Sequence, residues 1–62
     1  MELAFSKKTT EGLQFGGAWA VMYFFDDMDM PVTEELATHA EVVEYGLDGA
    51  EVGRSYVQFD KE

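Results

Sequence analysis

Residues 33–49 read TEELATHAEVVEYGLDG, and two incompatible structures compete for them. In the first, Thr33 stands at a helix N-cap, and Glu34 and Glu35 follow in the first turn, where the helix dipole favours acids. Leu36, Ala40 and Val43 recur at i, i+4 and i+7, with Ala37 beside them. Gly46 suits the C′ position, and Leu47 behind it can make the Schellman contact to the last turn. In the second, Asp48-Gly49 is a type I′ turn signal. Residues 41–47 would then be a strand paired with 50–56, with Tyr45 opposite Val52. The caps and the apolar stripe agree with each other, so the sequence predicts a helix over about 34–45. A last strand, about 51–59, follows on either reading. It places Val57 and Phe59 on one side and Arg54, Tyr56 and Gln58 on the other.

Upstream lies AWAVMYFF, residues 18–25. Trp19, Val21, Tyr23 and Phe25 alternate with Ala18, Ala20, Met22 and Phe24, and both sets are apolar, the pattern of a strand covered on both sides. Eight residues also fit a helix, but the aromatic content and the flanking glycines favour a strand. DDMDMP ends it, and Pro31 disfavours helix at Met30. Residues 2–7 alternate as a short strand, with Leu3 and Phe5 on one side. KTTEG, residues 8–12, carries turn chemistry, and Leu13 and Phe15 resume the alternation. Gly16-Gly17 reads either as a two-residue hairpin or as a bulge inside one strand from 13 to 25. A turn near residue 10 keeps Lys7, Thr9 and Glu11 off the core side, which favours the bulge. The expected fold is therefore α+β: an antiparallel sheet of about three strands, in the order β-β-α-β, with one helix packed on a face.

Sixty-two residues make one acidic domain, 1–62, near the lower size limit for independent folding. No cysteine is present, so neither a disulfide framework nor a thiolate metal site is available. At 47% hydrophobic, with five Phe, three Tyr and one Trp, the chain is too apolar for intrinsic disorder. Thirteen acids against four bases give a formal charge of −9, outside the usual range for a small domain. Such a surface is repelled by nucleic acid and by anionic membrane, and its natural partners are basic. MELAFSKK lacks the form of a secretory signal, and the apolar run is too short to span a bilayer, so a cytoplasmic protein is expected.

Enzyme chemistry finds little footing. Asp26, Asp27 and Asp29 are close in sequence but lie in a loop, and the calcium-loop pattern lacks its glycine and its distal glutamate. His39 has Glu35 at i−4 on the helix reading, which is more often a surface pair than a catalytic one. Ser6 and Ser55 come without nucleophile context, and no Walker loop is present. No cofactor, metal site or catalytic residue is expected. Lys7, Lys8, Arg54 and Lys61 make no basic stripe, so direct nucleic-acid binding is disfavoured.

The acids fall into a 26–29 loop, a helical set of Glu34, Glu35, Glu41 and Glu44, and a 48–51 turn. Carboxylates spaced along a small rigid body can occupy the basic groove that phosphates would otherwise fill, although an acidic surface also simply keeps a small protein soluble. An acid cluster at the end of an aromatic strand would steer a basic partner in. Trp19, Tyr23, Met28 and Met30 would then supply buried anchors, with core packing the plainer role for Trp19. In length, lack of cysteine, charge, and clusters such as DDMDM and TEELATHAEVVE, the chain resembles the small acidic inhibitor proteins encoded by bacteriophages. That group includes anti-restriction, anti-CRISPR, uracil-DNA-glycosylase-inhibiting and gyrase-inhibiting proteins. The resemblance lies in composition and carries over no individual residue. It implies stoichiometric, non-enzymatic inhibition of a nucleic-acid-binding protein in a bacterial host, partly by imitating DNA charge. The alternative function is a structural or accessory protein that homodimerises through the aromatic strand.

Overall fold

The computed structural model describes residues 5–59 and contains a four-stranded antiparallel meander. Its strands are β1 (Ser6–Thr9), β2 (Trp19–Phe25), β3 (His39–Tyr45) and β4 (Glu51–Gln58), hydrogen-bonded in the order β1-β2-β3-β4. This corrects the expected α+β fold. There is no packed helix among the described residues, and the segment predicted as one supplies a central strand.

The N-terminal helix signal is real but is used up in one turn. Glu34–Leu36 forms a 3-10 turn after Thr33, whose side chain makes no capping hydrogen bond, and the backbone is extended again by Ala37 at ψ 142°. From Thr38 onward the chain pairs on both edges, β2 on one side and β4 on the other. Val42, Val43 and Tyr45 are β-branched or aromatic and suit a pleated surface. The small residues Ala37 and Ala40, which made the helical stripe, contribute little burial in a helix. Here Ala40 in β3 and Ala37 in the connection before it lie fully buried beside Phe24.

The hairpin reading of the sequence is therefore the one that forms, with a shifted register. Tyr45 lies opposite Glu51 and Glu44 opposite Gly53, so Val52 is the extra residue of a β-bulge rather than the partner of Tyr45. The turn is not type I′. The Gly46 amide donates to Ala50 O at 2.9 Å, the Gly49 amide to Gly46 O at 2.9 Å, and positive φ occurs at Gly49 alone (83°).

Two corrections concern the N-terminal half. Lys8 and Thr9 belong to β1, not to a turn, and β2 begins at Trp19. Residues 10–18 connect them as a loop, so Gly16-Gly17 is neither a tight hairpin nor a bulge within one long strand. Residues 2–4 of the predicted first strand lie outside the described residues.

The pairing sorts the strands into two faces. Ser6, Lys8, Trp19, Val21, Tyr23, Phe25, His39, Glu41, Val43, Tyr45, Arg54, Tyr56 and Gln58 share one, and Lys7, Thr9, Ala20, Met22, Phe24, Ala40, Val42, Glu44, Gly53, Ser55 and Val57 share the other. Among the described residues, loops alone cover the second face. At one end Val32, Ala37 and Phe59 close over Phe24 and Met22, with the Phe24 and Phe59 rings 6.3 Å apart. At the other end residues 13–17 fold over Glu44 and Gly53.

Candidate interaction surfaces

Glu44 belongs to the covered face. It is 2% exposed, and its carboxylate accepts the amides of Gln14 at 2.7 Å, Phe15 at 3.0 Å and Gly17 at 2.6 Å. Burial pushes its pKa up, but the amides of Gln14, Gly17 and Phe15 together outweigh that and hold it below its ordinary value. A buried carboxylate without such donors would be strongly destabilising. Glu44 therefore pins the 13–17 loop to the sheet and does not stand on an exposed acidic surface, where the helical reading placed it.

The connection from β2 to β3 gathers most of the remaining predicted site residues. Asp26, Asp27, Met28 and Asp29 follow directly on β2, and Glu34 and Glu35 form the 3-10 turn. Asp26 shapes the turn: its Oδ1 accepts the Met28 and Met30 amides at 2.9 and 3.0 Å. Asp29 takes a left-handed conformation (φ 60°), and its Oδ1 meets His39 Nε2 at 3.0 Å. His39 is thus linked to Asp29. The i−4 relation to Glu35 does not exist, because the chain is already extended between them. Lys7 Nζ lies 3.9 Å from Glu34. Among these carboxylates Met28, Met30 and Leu36 are 78%, 58% and 68% exposed. Leu36 was assigned to a helical core, and no feature of the sequence marked it as a surface residue.

Trp19, Tyr23 and Glu41 lie together on the other, open sheet face. Trp19 stacks on Tyr45 of β3 at 4.5 Å, and Lys8 of β1 reaches over the Trp19 ring at 4.7 Å, so neighbours on both flanking strands engage it. Phe25 stacks on His39 at 5.8 Å. The Tyr56 hydroxyl donates to Glu41 at 3.0 Å. Arg54 grips Glu51 through two hydrogen bonds, 2.8 and 3.0 Å, and lies 3.7 Å from Glu41. The Glu51 carboxyl is held low by its bond to Arg54. Burial and the neighbouring Tyr23 push the Tyr45 phenol up, and Glu41 does the same to Tyr56, so both phenols stay neutral at physiological pH. Tyr45, Arg54 and Tyr56 were not singled out from sequence. Their common face becomes visible only once β3 is paired with β4.

Among the described residues no group of three or more His, Asp or Glu side chains is placed to hold a metal ion. No described helix is long and apolar enough to cross a membrane. No protein family, curated protein or solved structure matches the chain.

Proposed function

We propose that the chain is a non-enzymatic inhibitor that occludes the basic, nucleic-acid-binding surface of another protein, partly by presenting DNA-like charge, in the cytoplasm of a bacterial host. The observation that carries this reading is the 26–36 connection, where five carboxylates alternate with exposed Met28, Met30 and Leu36. Carboxylates accelerate the encounter with a basic surface, while flexible methionines adapt to whatever apolar groups lie between its cations. Glu44 takes no part, and Glu41 is already engaged by Tyr56 and Arg54.

The test is capture of nucleic-acid-binding proteins from a bacterial lysate on the immobilised chain. Asp26 and Asp29 are poor sites for charge reversal, because each holds local backbone geometry. Asp27→Lys, Glu34→Lys and Glu35→Lys are combined instead. Capture should be released by duplex DNA, should fall steeply as salt rises, and should be lost in the triple variant. Capture that ignores both salt and DNA would overturn the reading.

A further inference from the structure

We infer that the outer edge of β4 is a strand-addition site, where an extended segment of another protein, alternating basic and apolar residues, pairs with the sheet. This inference goes beyond the proposed function and does not depend on it. The backbone carries it first. The Phe59 amide donates to Thr38 O at 3.0 Å and the Gly46 amide to Ala50 O at 2.9 Å, one at each end of the β3–β4 ladder. An antiparallel ladder uses every second residue of a strand, so Gly53, Ser55 and Val57 turn their amides and carbonyls toward β3. Those of Arg54, Tyr56 and Gln58 point the other way, and no described strand lies beyond them. An added strand satisfies them.

The two edges of the sheet also differ. β1 spans four residues and carries Lys7 and Lys8, the short, lysine-bearing form by which natural sheets discourage further pairing. β4 spans eight residues and has neither proline nor lysine. Its one cation, Arg54, is bound to Glu51 at 2.8 and 3.0 Å and lies 3.7 Å from Glu41, so its charge is already matched and guards the edge little.

Charge and side chains select the occupant. The chain carries −9, and beside this edge Glu41 and Glu51 outnumber Arg54. A second copy brings the same −9 and is repelled, whereas a basic segment is drawn in. Side chains of a paired strand alternate between the two faces of the sheet. On the open face they lie on the side of Glu41 and Glu51, where lysine or arginine fits. On the other face they continue the row of Val57 and Phe59, the latter packed against the core, and there an apolar residue fits. The occupant is thus a basic amphipathic strand.

The probe is the capped peptide Lys-Val-Lys-Val-Lys-Val-Lys, at about 150 mM salt to screen long-range attraction. Bound peptide should slow hydrogen exchange at the Arg54, Tyr56 and Gln58 amides by at least about tenfold. The same peptide methylated on every backbone nitrogen keeps its charge but cannot pair, and should bind at least about tenfold more weakly. Tyr56→Pro removes one outward N–H while leaving the β3 ladder its bonds, and should weaken binding at least about fivefold; Tyr56→Thr keeps that N–H and should bind as the native chain does. The methylated peptide leaves the protein itself unchanged, so the test stands even where the proline variant fails to fold. Absence of binding, or equal binding of the methylated peptide, overturns the inference. So does exchange at these amides that slows with protein concentration alone, which puts a second copy on the edge. Binding should persist in the combined Asp27→Lys, Glu34→Lys and Glu35→Lys variant. Its loss there places the peptide on the 26–36 connection and overturns this inference, but not the proposed function, whose own test is capture released by DNA.

Discussion

Glu44 shows how one side chain can organise a loop with no regular structure. Three backbone amides converge on it, and Gly17 must come close enough for the third. A Cβ at residue 17 would lie 2.6 Å from Tyr45 O and 2.7 Å from the Glu44 carboxylate. Glu44→Gln replaces one acceptor oxygen with a donor. It should lower the melting temperature by several degrees and speed amide exchange at Gln14, Phe15 and Gly17. The folded pKa of Glu44 is lowered, so its contribution is complete above its ordinary value of 4.5 and is lost as pH falls through the lower, folded value. Acid titration of stability should therefore be flatter in the Gln variant than in the native chain. Glycines give a second comparison at this scale. At Gly49, with φ 83°, an added Cβ meets nothing within 4 Å, so Gly49→Ala should cost only the left-handed backbone penalty, about 1–2 kcal/mol. Gly17→Ala adds a steric clash with backbone and should be the more damaging of the two in urea unfolding.

β3 is the element on which the sheet depends, because it alone joins the β1–β2 hairpin to β4. Its Ala40, with Ala37 just before the strand, packs against Phe24. Phe24→Ala should cost about 3–5 kcal/mol, comparable with the whole stability expected of a domain this size. The variant should be largely unfolded by circular dichroism at 25 °C. The same element is where sequence and structure part. Residues 33–37 carry genuine helix-start chemistry, and a stripe of Leu36, Ala37, Ala40 and Val43 extends it on paper. A helix there would have left β2 and β4 without a strand between them. Pairing with both neighbours outweighs a local propensity worth a few tenths of a kcal/mol per residue. Asp48-Gly49 signalled this outcome correctly as a chain reversal, although the turn that forms has a different type and register.

For the whole molecule, the decisive quantity is charge set against a thin interior. Nine net negative charges on so small a body repel one another, and the described cations, Lys7, Lys8 and Arg54, are all engaged with acids or with Trp19. Raising salt from about 10 to about 200 mM should therefore raise the melting temperature of dilute protein, the opposite of what a protein held by surface ion pairs would show. Distribution matters as much as amount. Among the described residues, acids are concentrated on the β2–β3 connection, and Glu44 is the buried one.

The sequence by itself determined the charge, the lack of cysteine, the two-faced apolar β2 and a last strand over about 51–59, observed at Glu51–Gln58, while the reversal at 48–49 was legible only as the alternative to a helix. These are properties of composition or of short-range pattern, and they need no knowledge of neighbours. The proximity of Asp26, Asp27 and Asp29 was legible for the same reason. Tertiary structure alone decided that residues 39–45 are a strand, that Glu44 is interior while Leu36 is exposed, and that Trp19, Tyr45 and Tyr56 share a face. Each of these turns on hydrogen bonds between residues far apart in the chain, which can reverse a local preference without leaving a local mark.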